Sequence, residues 1–141
     1  RHNANGVDLN RDWSKYNQKE VKNVVRCLDK TTKKNNASIV LGLDFHSTWY
    51  DVMYTNIERE KTALPNFIDD WFKGLKKEYP EYKLKEQPGK SKRPVSKAWF
   101  LKKNNAVGIT YEIGDKTPRP QIKKVANILA NQMMQLLLTE Q

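Results

Sequence analysis

Two short apolar runs, rich in β-branched residues, constrain the fold of this chain more than any other feature. One run, SIVLGLDF, covers residues 38–45, and the other, AVGITYEI, covers residues 106–113. Each is bounded by polar residues and is too short for a core helix, so each predicts a buried strand. We expect the first strand to end at His46 and the second to end at Glu112. A further short strand is expected over residues 51–55.

Segments with helical periodicity alternate with these runs. Apolar side chains recur at helical spacing over residues 18–34 and 65–79, and again after Pro120. Residues 81–95 are rich in Lys, Glu, Gly and Pro and are interpreted as a surface loop. Helices that alternate with buried strands predict the α/β class, with a mixed sheet flanked by helices.

The composition limits the partners and the compartment. The formal net charge is +10, but the lysines are spread along the chain and no aromatic-basic motif accompanies them. We therefore interpret the charge as a solvated surface and expect no nucleic-acid partner. No apolar run is long enough to span a membrane. The single cysteine, Cys27, excludes an internal disulfide, and its helical spacing from Val24 and Leu28 predicts a buried thiol. The oligomeric state and the compartment stay open, although an exported protein is favoured over a cytoplasmic one.

Three polar segments lie beside the predicted strands. They are GVDLNRDW at residues 6–13, DFHS at residues 44–47 and TYEIGD at residues 110–115. In α/β sheets, sites form beyond the carboxyl ends of strands. Taken singly, a histidine or a glutamate there is usually structural. Together the segments supply an imidazole for a metal, a candidate general base and basic groups that bind anions.

In this order, the three segments resemble the zinc metallocarboxypeptidase family, and the resemblance runs from Arg1 to about Arg119. It implies the phosphorylase/hydrolase-like fold of that family. It also implies a Zn²⁺ cofactor, held by a His-x-x-Glu pair and a later histidine. His46 matches the later histidine, whereas no His-x-x-Glu occurs here. We therefore expect residues 1–141 to be a single partial domain, the C-terminal half of a catalytic domain whose N-terminal half carries the pair.

The resemblance implies a chemical role for three further residues. Glu112 matches the glutamate that acts as general base toward a zinc-activated water. Arg1 stands nine residues before Asn10, where some branches of the family place the arginine that stabilises the oxyanion. Asp8 matches an acid that orients the first zinc histidine. The expected reaction is hydrolysis of a C-terminal peptide bond.

The resemblance also implies how a substrate is held. Asn10 and Arg11 match the pair that binds the free carboxylate. Lys97 falls at the base of the specificity pocket, which would favour an acidic C-terminal residue. The family usually carries a mobile tyrosine on the loop before the catalytic strand, but no tyrosine lies between Tyr82 and Tyr111. Lysine and arginine stand on that loop instead.

Two alternatives remain beside the carboxypeptidase. One is a zinc acyl-amino-acid hydrolase or amidase of the same fold, and the other is a non-catalytic, peptide-binding relative. All three take a peptide or small amide with a free carboxylate. An intact His-x-x-Glu upstream would favour an enzyme, and its loss would favour a binding module. With one zinc ligand, residues 1–141 by themselves are expected to be inactive.

Overall fold

The helices and strands alternate as the sequence predicts. The computed structural model of the chain describes residues 2–139. In chain order its elements are a 3₁₀ turn at Leu9–Arg11, α1 at Lys19–Asn35, β1 at Leu41–Thr48, β2 at Val52–Asn56, a 3₁₀ turn at Ile57–Lys61, α2 at Phe67–Glu78, β3 at Lys85–Gly89, α3 at Ser96–Asn104, β4 at Val107–Gly114 and α4 at Arg119–Thr139. None of these helices is long and apolar enough to cross a membrane.

The strands form one mixed sheet in the order β1-β4-β2-β3. The two apolar runs lie side by side, since β1 pairs parallel with β4 from Leu41 opposite Val107 to Thr48 opposite Gly114. Strand β2 pairs antiparallel with β4 and parallel with β3. The predicted class, α/β with a mixed sheet flanked by helices, is confirmed.

One face of the sheet builds the main core. Side chains alternate between the faces of a strand, so every second residue of β4 points to this side. Helices α2 and α4 cover it, and Trp71 donates its indole N–H to the carbonyl oxygen of Leu129 at 2.8 Å. The fully buried side chains of this core include Met53, Phe67, Ile68, Ile109 and Val125.

Where α3 crosses the opposite face, two of the strand residues are glycines, and α3 lies directly on them. A Cβ atom on Gly108 would stand 2.1 Å from the carbonyl oxygen of Lys97, and one on Gly42 would stand 2.2 Å from the ring of Phe100. Glycine is therefore required at both positions for the helix to approach the strands. Beyond α3, Val21 and Val25 of α1 pack with Trp99 in a second, smaller core.

A buried aspartate organises the segment before α1. Asp12 accepts hydrogen bonds from the backbone N–H of Asn17 at 3.0 Å and of Gln18 at 2.8 Å. It is 5% exposed, so these bonds satisfy a carboxylate that is costly to bury alone. Trp13 packs against Trp99 with tilted rings, 5.4 Å between their centroids, which ties the segment to α3.

Several local predictions are wrong. Strand β1 extends to Thr48 and β4 to Gly114, so His46 and Glu112 lie within strands and do not end them. Strand β3 lies in the predicted loop. It contains Pro88, which an edge strand tolerates because its outer N–H groups need no partner. The thiol of Cys27 is exposed, because it lies on the solvent side of α1.

Helix α3 was not predicted at all. Its apolar residues stand together in the sequence AWFL, at residues 98–101, and do not recur at helical spacing. They are consecutive because α3 is enclosed, with the sheet on one side and the second core on another. Periodicity finds helices with one solvated face and misses a short helix of this kind.

The outer edge of β1 is open within residues 2–139, since the sheet ends at this strand. Phe45 on this strand is 64% exposed although it touches Tyr111 of the neighbouring strand, at 6.1 Å between ring centroids. An apolar, partly uncovered strand therefore forms one border of the sheet.

We predict that Gly108→Ala lowers the free energy of unfolding by about 1–3 kcal/mol, the usual cost of overpacking. The new methyl group would meet the backbone of α3, which cannot rotate away. Gly89→Ala is the matched control, since nothing lies within 4 Å of its Cβ position. Urea denaturation measures both variants. Equal stabilities of the two variants would show that α3 does not pack closely against β4 at Gly108.

Candidate functional site

A cavity of about 1040 Å³ opens on the face of the sheet that bears α3. It brings together residues from six separate parts of the chain. Those named by the sequence analysis are Asp8, Asn10, Arg11, His46, Lys97 and Glu112. Arg1, the remaining candidate, lies outside the described residues. A second cleft, of about 740 Å³ beside Trp49 and Lys85, is lined by none of these residues.

His46 and Glu112 lie opposite each other in the parallel pairing of β1 with β4. Neighbouring strands are about 4.8 Å apart, and paired residues point to the same face. Both side chains therefore reach the cavity from adjacent positions on the sheet. Tyr54 of β2 lines the same cavity. Burial, together with the nearby Tyr50 and the charge of Glu112, raises the pKa of the Tyr54 phenol above its usual 10.0.

Asp44 is the centre of the polar contacts beneath His46. Its Oδ2 atom lies 3.0 Å from Nε2 of His46 and accepts a hydrogen bond from Nδ2 of Asn10 at 3.3 Å. The hydroxyl of Ser96, at the start of α3, donates to the same oxygen. A hydrogen bond from His46 to this carboxylate requires the imidazole proton on Nε2, and in that tautomer the lone pair is on Nδ1. Neither Asp44 nor Ser96 is among the site residues predicted from the sequence.

Asn10 is held by the protein through both ends of its amide. Its Oδ1 accepts the backbone N–H of Ser96 at 2.9 Å, and its Nδ2 faces Asp44 and His46, each at 3.3 Å. The Ser96 N–H is in the first turn of α3 and needs an acceptor outside the helix. Asn10 therefore joins the N-terminal segment to α3 and to β1.

Arg11 reaches the cavity from the same 3₁₀ turn. Its Nη1 donates to the carbonyl oxygen of Asn10 at 2.7 Å and lies 4.0 Å from Oδ2 of Asp8. The Arg11 side chain is 40% exposed. A guanidinium has five N–H donors, so most of them remain for a ligand in the cavity. Asp8 also accepts the backbone N–H of Asn10 at 3.0 Å, which caps this turn.

Lys97 is a half-buried cation at the cavity wall. Its Nζ donates to the carbonyl oxygen of Thr55 at 2.9 Å and to Oδ1 of Asn56 at 3.0 Å. Burial lowers the pKa of the Lys97 ammonium from its usual 10.5, and the charge of Glu58 opposes that shift. The two acceptors fix the position of the ammonium group, which has three N–H donors in all.

The donor set of residues 2–139 does not by itself fit a catalytic zinc. A catalytic zinc needs three protein ligands and one open position. Within these residues no group of three or more His, Cys, Asp or Glu side chains could hold a metal ion. His46 offers one suitable nitrogen, so the described residues supply part of such a site at most.

No family model matches the chain, and no curated protein matches it. Solved structures do. A metallo-carboxypeptidase from Burkholderia cenocepacia superposes with a TM-score of 0.61 at 15% identity, over 99% of this chain and 40% of that protein. A protein named as a candidate carboxypeptidase A, from Shewanella denitrificans OS-217, gives 0.62 at 19% identity, over 94% of this chain and 39% of that protein.

The chain therefore has a carboxypeptidase-like fold and spans about 40% of the length of these neighbours. At such identities the likeness establishes the fold and leaves the activity to be argued from the site.

We predict that the 141-residue chain binds zinc weakly, because His46 is the one imidazole at the cavity. Titration with zinc against a chelating indicator measures the affinity, and His46→Ala should abolish what binding there is at this site. His2→Ala is the control for the other histidine. Tight binding of one zinc per chain, dependent on His46, would show that the described residues do complete a metal site.

Proposed function

We propose that this chain forms part of the active site of a zinc metallocarboxypeptidase. The observation that supports it best is the pairing of His46 with Glu112 on adjacent strands, at the wall of a cavity that Arg11 also lines. The carboxypeptidase-like fold agrees with this assignment. We further propose that residues 1–141 are the C-terminal half of the catalytic domain, and that the other zinc ligands come from the rest of the protein.

When bound, zinc would supply Lewis acidity to a substrate carbonyl and to water. His46 would hold it through Nδ1 in the tautomer in which its Nε2–H donates to Asp44. Asp44 thereby fixes the ring in the orientation that the metal requires. Glu112 lies beside His46, where it can take a proton from the attacking water and deliver it to the leaving amine. This two-way proton transfer needs one carboxylate within reach of both groups.

Arg11 would bind the free carboxylate that defines a C-terminal residue. A guanidinium pairs with a carboxylate through two parallel N–H···O bonds. Arg11 lies in the 3₁₀ turn at Leu9–Arg11, and its exposed guanidinium lines the cavity. The resemblance gives Asn10 a share in the same task. In the arrangement described above, the Asn10 amide contacts Asp44, Ser96 and His46. We therefore assign the main carboxylate contact to Arg11 and a supporting role to Asn10.

Lys97 would give the pocket a preference for an acidic C-terminal side chain. Its ammonium is half-buried and is fixed by Thr55 and Asn56. In such a place an unpaired charge is costly and an opposite charge on the ligand is favoured.

A second candidate function is peptide binding without catalysis. It is supported by the exposed guanidinium of Arg11 at the cavity, which would bind a peptide carboxylate with or without a metal. Both functions use Arg11 and the cavity, but only catalysis depends on Glu112.

Glu112→Gln in the full-length protein should lower kcat roughly 100-fold or more, the usual contribution of a general base, and leave the zinc content unchanged. Glu20→Gln is the matched control, because Glu20 lines the same cavity and is exposed. Hydrolysis of a C-terminal peptide and metal analysis give the two readouts. Near-normal turnover in Glu112→Gln would remove Glu112 from the mechanism, and no turnover in the wild type would favour the binding module.

Lys97→Met should reduce the preference for a C-terminal Glu over Leu on the order of tenfold, by removing the charge and keeping the length of the side chain. Lys97→Arg, which keeps the charge, should retain most of it. The preference should also fade as pH rises through the pKa of Lys97, at a lower pH than for an exposed lysine, because burial lowers that pKa. A wild-type preference for Leu or Lys over Glu would refute the assignment.

A further inference from the structure

Three exposed cations stand on the connection between β3 and α3. We call Lys90, Lys92 and Arg93 the basic rim. All three line the cavity that holds His46 and Glu112. The rim lies at the mouth of the cavity, whereas Lys97 is half-buried at its wall.

The backbone of the basic rim is held in place by buried hydrogen bonds. Ser91, between two rim residues, is buried, and its hydroxyl donates to Oδ1 of Asn56 at 2.7 Å. Asn56 is itself 1% exposed and donates to the carbonyl oxygens of Lys97 at 3.1 Å and Gly108 at 3.3 Å. The rim is therefore held in a fixed place over the cavity, and its side chains point outward on either side of a buried anchor.

The far end of the connection is also attached. The carbonyl oxygen of Pro94 accepts the backbone N–H of Trp13 at 3.3 Å, which joins the connection to the N-terminal segment. Val95 donates its N–H to the carbonyl oxygen of Arg93 at 2.9 Å. A tethered connection loses little entropy when it binds a ligand, which favours a role in recognition.

The cations of the basic rim form no ion pair with any residue from 2 to 139. The same cavity is also lined by four acids, Asp8, Glu20, Asp44 and Glu112, and these have other contacts. Asp44 contacts Asn10, His46 and Ser96, Asp8 faces Arg11, and Glu20 lies 3.5 Å from the amide of Asn3. A concave site bordered by positive charges raises the local concentration of anions and increases their rate of association. The second cleft, beside Trp49, also carries lysines, but it is lined by neither His46 nor Glu112.

We propose that the basic rim binds acidic side chains of a peptide upstream of its C-terminal residue, so that acidic peptides are the substrate class of this site. The proposal rests on the proposed function, in which Arg11 binds the free carboxylate. It is separate from the preference assigned to Lys97, because that residue would contact the C-terminal side chain itself. The three exposed cations of the basic rim and the half-buried Lys97 would then bind successive acidic residues of one peptide.

The test is binding of labelled peptides to the 141-residue chain, followed by fluorescence anisotropy. All peptides have the same length and end in Leu, which keeps Lys97 out of the comparison. One carries Glu at the upstream positions, one carries Gln there, and each is made with a free and with an amidated C terminus. The Glu peptide should bind on the order of tenfold more tightly than the Gln peptide at low salt, and the advantage should shrink as salt is added.

The triple variant Lys90→Ala, Lys92→Ala, Arg93→Ala should lose this advantage. The matched control is Lys30→Ala, Lys33→Ala, Lys34→Ala, three exposed lysines of α1 that line neither cavity and remove the same net charge. The control should retain the advantage. Equal losses in both variants would mean that net charge alone attracts the peptide, which overturns the proposal.

The two proposals can fail separately. If upstream Glu matters but the free C terminus does not, the basic rim stands and the carboxypeptidase assignment is weakened. If the free C terminus matters and upstream Glu does not, the rim proposal is wrong and the proposed function stands. A DNA duplex of equal charge that displaces the Glu peptide at equal concentration would show a general polyanion surface and would also overturn the rim proposal.

Discussion

The parallel, in-register pairing of β1 with β4 is the constraint on which the rest of the structure depends. It places one set of alternating side chains in the main core and the other set at the cavity. A shift of the register by one residue would turn His46 toward α4 and bring Phe45 to the site, since side chains alternate with period two. The apolar residues of both strands therefore fix the register that places His46 beside Glu112. Formation of the core therefore also sets the geometry of the site.

The polar contacts of the site also depend on the close approach of α3 to the sheet. Gly42 and Gly108 leave room for it, and only then can Ser96 reach Asp44. Asn10 completes the arrangement from the N-terminal segment. The polar contacts under the cavity are thus made by residues that are far apart in the chain, and each needs the others to be satisfied while partly buried. This explains why two glycines, which have no side chains, matter to the chemistry of the cavity.

The class of the fold and most of its elements follow from sequence patterns, because buried strands and amphipathic helices leave a periodic signal. Helix α3 leaves none, since it is enclosed and its apolar residues are consecutive. The motif segments led to the residues that line the cavity, although their roles stay proposals. Asp44 stands within the segment DFHS, but its contact with Ser96 spans 52 positions and leaves no local pattern, so the contact does not follow from the sequence. A carboxylate two residues before a strand histidine, on the same face, was the one available hint.

Within residues 2–139 the sheet has an open border at β1, and this border affects how such a chain behaves in solution. An uncovered strand edge with an exposed aromatic ring is a template on which other chains can add strands, and this is how many proteins begin to aggregate. The excess of lysine opposes that process, because molecules that each carry a charge of +10 repel one another. This repulsion reaches only about 8 Å at physiological ionic strength. Colloidal stability of the chain is therefore expected to fall as salt is added, so that the same lysines that give it a basic surface also keep it in solution.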